Sequence, residues 1–201
     1  MEKKTEKRVA TVNRKTKETE IALSLDLDGE GTADIATGIG FFDHMLTGFA
    51  KHGFFNLKLQ CKGDLYVDGH HTVEDCGIVL GNAIKEALRD KAGVKRYGFF
   101  TLPMDDALVT CAVDLCGRPY LNYGLKFDVP SIGYLQTELI KEFFYAVSYS
   151  AGMNIHFVQL AGENSHHIAE AAFKAFAKAL DEAVQYDPRV RGQLSSKGVL
   201  A

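Results

Sequence analysis

Residues 69–88 read GHHTVEDCGIVLGNAIKEAL and residues 164–180 read NSHHIAEAAFKAFAKAL. Each opens His-His-x-x-Glu and continues as an apolar segment, so the chain carries one device twice. The spacing is constant: His70 to His166 is 96 residues, and so is Glu74 to Glu170. Upstream, NLKL at 56–59 answers NIHF at 154–157 with a spacing of 98. A period this long is not that of a solenoid. It predicts one domain built from two related halves about a pseudo-twofold axis.

Working outward, the segments around the two motifs repeat an order. RVATVNRKTKETEIALSLDLDG (8–29) alternates apolar and polar positions, with Ile21, Leu23, Leu25 and Leu27 on one face. DGEG at 28–31 marks a turn. FFDHMLTGFAKHG (41–53) changes to a helical period through Phe42, Met45, Leu46 and Phe49, with Gly53 the expected C-cap. FFNLKLQCKGD (54–64) reads as a strand, and a helix is predicted over 71–92. In the second half, 100–127 reads as strands joined by turns, 134–152 as a helix, 153–162 as a strand and 164–180 as the last helix. The expected fold is α+β, a duplicated pseudo-twofold domain of mixed sheets with helices packed on their faces. A single domain over 1–201 would consist of repeats at about 8–93 and 94–185, with 186–201 a mobile tail.

A chain of 201 residues with 46% apolar and 24% charged residues fits one ordinary globular domain. A net charge of −3 provides no basic field for nucleic acid. No apolar run is long enough for a membrane span, and the opening MEKKTEKRVATVNRKTKE lacks the apolar segment of a secretory signal. Cys61, Cys76, Cys111 and Cys116 show no C-x-x-C spacing and are expected as free thiols in a reducing cytoplasm.

Four of the seven histidines fall in the two pairs. Residues four apart share a helix face, so His70 can bind an ion with Glu74, and His166 with Glu170. Imidazole with carboxylate suits a divalent transition metal. His71 and His167 point about 100° away from their neighbours and cannot easily serve the same ion. A crossed pair of sites follows, one using His70, Glu74 and His167, the other His166, Glu170 and His71. His44 is the further candidate in the first half, and the 98-residue spacing sets Glu142 at the matching place in the second. A lone histidine is ordinarily a hydrogen-bonded core or surface residue. That reading is kept for His156, while His52 either caps its helix or touches a ligand. Arg96, Arg118, Lys174, Ser195, Ser196 and Lys197 form a second set suited to phosphate. A dinuclear-metal hydrolase would use the same metals without a base at carbon. A metal-storage cage of the ferritin type would need longer helices.

At TKET (16–19), FFDHMLTGFAKHG (41–53), DGHHTVED (68–75), DLCGRPYL (114–121), NSHHIAEAAFKAFAKAL (164–180) and SSKGVL (195–200), the sequence resembles imidazoleglycerol-phosphate dehydratases. The resemblance implies a ribosomal protein S5 domain 2-like duplicated fold. It implies a cytoplasmic homo-oligomer, a 24-subunit cage with active sites at subunit interfaces, and two Mn2+ per site. By position, His44, His70, Glu74 and His167 would hold the first ion, and His71, Glu142, His166 and Glu170 the second. Many relatives have His where this chain has Glu142. The substrate, imidazole glycerol phosphate, would bridge the ions through its ring as imidazolate and lose its C3 hydroxyl as water. Glu18 would take the C2 proton, with His52 nearby. Arg96, Arg118, Lys174, Ser195 and Lys197 would bind the phosphate, and the tail would close over the ligand.

Overall fold

Period-2 apolar patterning builds two sheets. The computed structural model describes residues 7–200. In the first half β1 (Val9–Lys15), β2 (Thr19–Asp26), β3 (Ala33–Ala36) and β4 (Asn56–Gly63) form a sheet in the order β1-β2-β4-β3. In the second, β5 (Tyr97–Met104), β6 (Ala107–Asp114), β7 (Tyr120–Gly124) and β10 (Asn154–Ala161) form a sheet in the order β5-β6-β10-β7. The two orders are the same arrangement, and in each only the third strand of the half pairs parallel. A short hairpin, β8 (Ser131–Ile132) with β9 (Leu135–Gln136), is extra to the second half. The duplication read from the motifs is therefore a duplication of topology. Ile21, Leu23, Leu25 and Leu27 are all buried on the inner face of their sheet.

Among the described residues four helices lie between the sheets: α1 (Gly40–Gly53), α2 (His70–Leu88), α3 (Glu138–Ala151) and α4 (Ser165–Val184). α1 and α2 rest on the first sheet, α3 and α4 on the second, and the layers meet in crossed pairs, α1 on α4 and α2 on α3. Small residues allow the second pairing. A Cβ on Gly77 would stand 2.7 Å from the carbonyl oxygen of Phe143, and one on Gly81 2.7 Å from that of Val147. α4 is buried on nearly every side, which explains its alanines: Ala171, Ala172, Ala175, Ala177 and Ala179 are inaccessible to solvent. At the centre Phe42 meets Phe143 edge to face at 5.3 Å, and Phe143 stacks on Phe173. Burying a phenylalanine fully contributes about 1.5–3 kcal/mol, so this cluster joins the halves through one core.

Several local expectations are corrected. α1 ends at Gly53, but the capping residue is Phe54, which takes the left-handed conformation (φ 57°), and not Gly53. Gly53 is glycine because a Cβ there would lie 2.4 Å from the Phe55 ring. α2 stops at Leu88 and does not run to 92, since Arg89 and Lys91 both have positive φ. α3 begins at Glu138, because Leu135 and Gln136 belong to the hairpin. β3 was not foreseen; its residues are mostly exposed and carry no apolar alternation. The tail lies against the body: Gly93 N–H donates to the Gly192 carbonyl at 2.8 Å, and Gln193 Nε2 to the Asp90 carbonyl at 2.6 Å.

Candidate metal centre

The two motif helices start the same way. Asp68 accepts the backbone N–H of His70 at 2.8 Å, and Asn164 accepts that of His166 at 2.9 Å. These anchors fix where each His-His pair leaves the loop. On α2, His70 Nε2 lies 3.8 Å from Glu74. On α4, His166 Nε2 lies 3.3 Å from Glu170 Oε2. The shared-face prediction describes both helices.

Helix pairing decides the next neighbour. Because α1 packs on α4, His44 stands with the second motif, its Nε2 3.7 Å from Glu170 Oε2. Within one chain His44 therefore lies on the α1–α4 pair, while His70 and Glu74 lie on α2. One donor atom from each of His44, His166 and Glu170 lies within 4.8 Å of the others. Glu142, the counterpart of His44, lies on α3, the helix that packs on α2. Two nitrogen donors and one oxygen donor at this spacing fit a divalent cation.

Glu170 divides its two oxygens. Oε2 faces the histidines, while Oε1 accepts from Lys174 Nζ at 2.6 Å. Burial raises the pKa of the Glu170 carboxyl, but the hydrogen bond and charge of Lys174, then His44 and His166, outweigh it and hold the pKa below the ordinary value. His52 at the end of α1 has its pKa lowered by burial and next by the charge of Lys174. Lys174 is thus engaged with Glu170 in the cluster.

The second histidine of each pair is oriented by a carboxylate on Nδ1. Asp64 stands 3.0 Å from Nδ1 of His71, and Asp106 stands 2.6 Å from Nδ1 of His167. Such an Nδ1 contact is a common support for metal-binding imidazole, and each Nε2 faces a further carboxylate, Asp105 at 3.4 Å from His167 and Glu18 at 3.7 Å from His71. The Asp64 hydrogen bond is the largest cause of a raised His71 pKa. Asp106 is itself fixed by the backbone N–H groups of Asn164 (2.9 Å) and Glu163 (2.6 Å), which together with His167 depress its pKa strongly. Neither aspartate was identified from sequence, because loop carboxylates carry no period. Glu18 stands on the β1–β2 turn, its Oε1 3.7 Å from Nε2 of His71.

The basic set is dispersed over the described residues. Arg96 forms a two-point contact with Asp114 (2.7 and 3.1 Å) and donates to the Leu194 carbonyl at 2.7 Å. Asp114 is the chief cause of its raised pKa. Arg96, Ser195 and Ser196 line one cleft at the base of the tail. Arg118 is exposed ahead of β7, and Lys197 is exposed in the tail. His156 is exposed in β10 beside Tyr120, as its ordinary reading expected. No helix among the described residues is long and apolar enough to cross a membrane.

Comparison with known proteins gives one answer. The family model described as imidazoleglycerol-phosphate dehydratase matches residues 37–180, which includes both motifs. The chain is 65% identical over 193 residues to the imidazoleglycerol-phosphate dehydratase of Lachnoclostridium phytofermentans, covering 96% of this chain and 98% of that one. It is 54% identical over 189 residues to the enzyme of the same name from Acetivibrio thermocellus, covering 94% and 97%. The crystal structure of the Staphylococcus aureus imidazoleglycerol-phosphate dehydratase superposes with a TM-score of 0.81 at 37% identity, covering 89% of this chain and 99% of that one. With two His-His-x-x-Glu helices in a duplicated sheet topology and likeness along nearly its whole length, the chain belongs to the imidazoleglycerol-phosphate dehydratase family.

Proposed function

We propose that the chain dehydrates imidazole glycerol phosphate to imidazole acetol phosphate in histidine biosynthesis, as a metal-dependent lyase of the cytoplasm. The observation that carries this reading is the convergence of His44, His166 and Glu170 from two helices in a chain of this family. His44, His70, Glu74 and His167 would hold one ion and His71, Glu142, His166 and Glu170 the other, with the ligands exchanged between neighbouring subunits of a 24-subunit cage. Two Mn2+ ions, when bound, would supply Lewis acidity toward the substrate ring. Glu18 would remove the C2 proton as general base, and its reach to His71 supports that role. His52 would border the substrate. Arg96, Arg118, Lys174, Ser195 and Lys197 would orient the phosphate. Arg96 already joins the body to the Leu194 carbonyl, which suits a tail that responds to ligand.

The test is turnover of imidazole glycerol phosphate by purified protein, then with a chelator, then with Mn2+ restored. Activity should vanish and return. Glu18→Gln should abolish dehydration while metal content stays at the wild-type level; normal turnover by that variant would remove Glu18 as the base.

A further inference from the structure

His71 and Asp75 are four residues apart on α2 and share a face, one turned from that of His70 and Glu74. This face meets the β1–β2 turn. Asp75 is only 5% exposed. Its Oδ2 accepts from Thr19 Oγ1 at 2.5 Å and from the Arg14 guanidinium. The turn is tight in its own right. Thr16 N–H donates to the Thr19 carbonyl at 2.9 Å, and Thr16 Oγ1 accepts the N–H groups of Glu18 (3.1 Å) and Thr19 (3.0 Å). The turn is therefore tied to the metal helix at Thr19, one residue from Glu18.

The second half shows what this tie is for. Strand pairing puts Val9 opposite Asp26 and Tyr97 opposite Asp114, so the hairpins correspond at a spacing of 88 residues. Glu18 then corresponds to Asp106, and Thr19 to Ala107. Asp75 corresponds to Ala171 at the motif spacing of 96. Asp106 is itself pinned, by His167 and two backbone amides, and its half has alanine at both other places. In the first half Asp64 takes the Nδ1 of His71, and the Glu18 carboxylate is left half-exposed at Nε2. The fold thus forms without a Thr–Asp tie. The tie is present in the half whose turn carboxylate is not fixed by its own hydrogen bonds.

We propose that Asp75 is a positioning residue for the dehydration, holding Glu18 at the reacting carbon through the hydroxyl of Thr19. This rests on the reading of Glu18 as the base. A displacement of about 1 Å in a reacting group can cost about 100-fold in rate. Thr19→Val keeps the shape and removes the hydroxyl, and it should lower kcat about 100-fold. KM should stay within about threefold, since the loss falls on the transition state. Metal content should equal the wild type. Thr19→Ser should restore kcat, and Asp75→Asn combined with Thr19→Val should be no slower than Asp75→Asn alone. If Asp75→Asn does not fold, the two Thr19 variants decide. Full kcat in Thr19→Val, or failure of Thr19→Ser to rescue, overturns the coupling. Glu18→Gln in the same assays separates the two ideas. If it is inactive beside a normal Thr19→Val, only the tie fails; if it is active, the base assignment fails.

Discussion

Replacing Lys174 by methionine removes the ammonium from Glu170 and leaves a hydrocarbon of similar length. The Lys174 and Glu170 side chains are 15% and 12% exposed, and their charged atoms are 2.6 Å apart. A charge-assisted hydrogen bond contributes about 1.5–3 kcal/mol, and stranding one member of a fully buried pair costs about 3–5 kcal/mol. Glu170 retains His166 at 3.3 Å and His44 at 3.7 Å as partial replacements. The expected loss for metal-free protein is therefore about 1.5–3 kcal/mol, the lower range. For a chain of this size each kcal/mol shifts Tm by about 2–4 °C, so the melting point should fall by about 3–12 °C. The sign of the pH dependence follows from the lowered Glu170 pKa. Stability from a depressed carboxyl is present above its unfolded pKa, about 4.3, and is lost as pH falls through the folded value. Scanning calorimetry of chelated wild type and Lys174→Met should show the gap at neutral pH and its closure in acid below that range. Equal melting points at neutral pH would refute the reasoning, and so would a gap that persists undiminished in acid.

Removing Lys174 should also raise the pKa of His52, which its charge holds down; NMR titration of the histidine ring protons would detect this, and no movement would mean the two do not interact. Asp106→Asn and Asp64→Asn should each weaken Mn2+ binding by about 10–100-fold, measured by equilibrium dialysis, and unchanged affinity in both would end the case for Nδ1 support. Gly98→Ala would set a Cβ 2.0 Å from the Ala179 carbonyl oxygen, forcing β5 away from α4. A loss of about 1–3 kcal/mol in urea denaturation is expected, and a neutral result would show that the strand can slide.

What the sequence revealed depended on periodicity. The alternation Ile21, Leu23, Leu25, Leu27 and the helical stripe Phe42, Met45, Leu46, Phe49 name the buried faces directly, and all eight residues are buried. The His-His-x-x-Glu spacing identified the shared-face pairs for the same reason. Which helix packs on which is settled by tertiary fit at places such as Gly77 and Gly81, and no local pattern encodes it. That is why the neighbourhood of His44 within the chain, beside His166 and Glu170, was not foreseen. Asp64, Asp75 and Asp106 were missed because each acts across the fold from a position with no repeating signal. Comparing the halves by strand register, and not by motif alone, is what relates Asp106 to Glu18.

The crossed helix pairing has a consequence for how unlike two metal positions can become. Two copies of one half-length polypeptide in the same arrangement would be bound by symmetry to present identical donors at both. Covalent linkage lifts that obligation, and this chain has used the freedom: His44 on one side answers Glu142 on the other. With the proposed ligand sets, one pocket would be richer in nitrogen and the other in oxygen, so two ions would be held with unequal strength and would load in order.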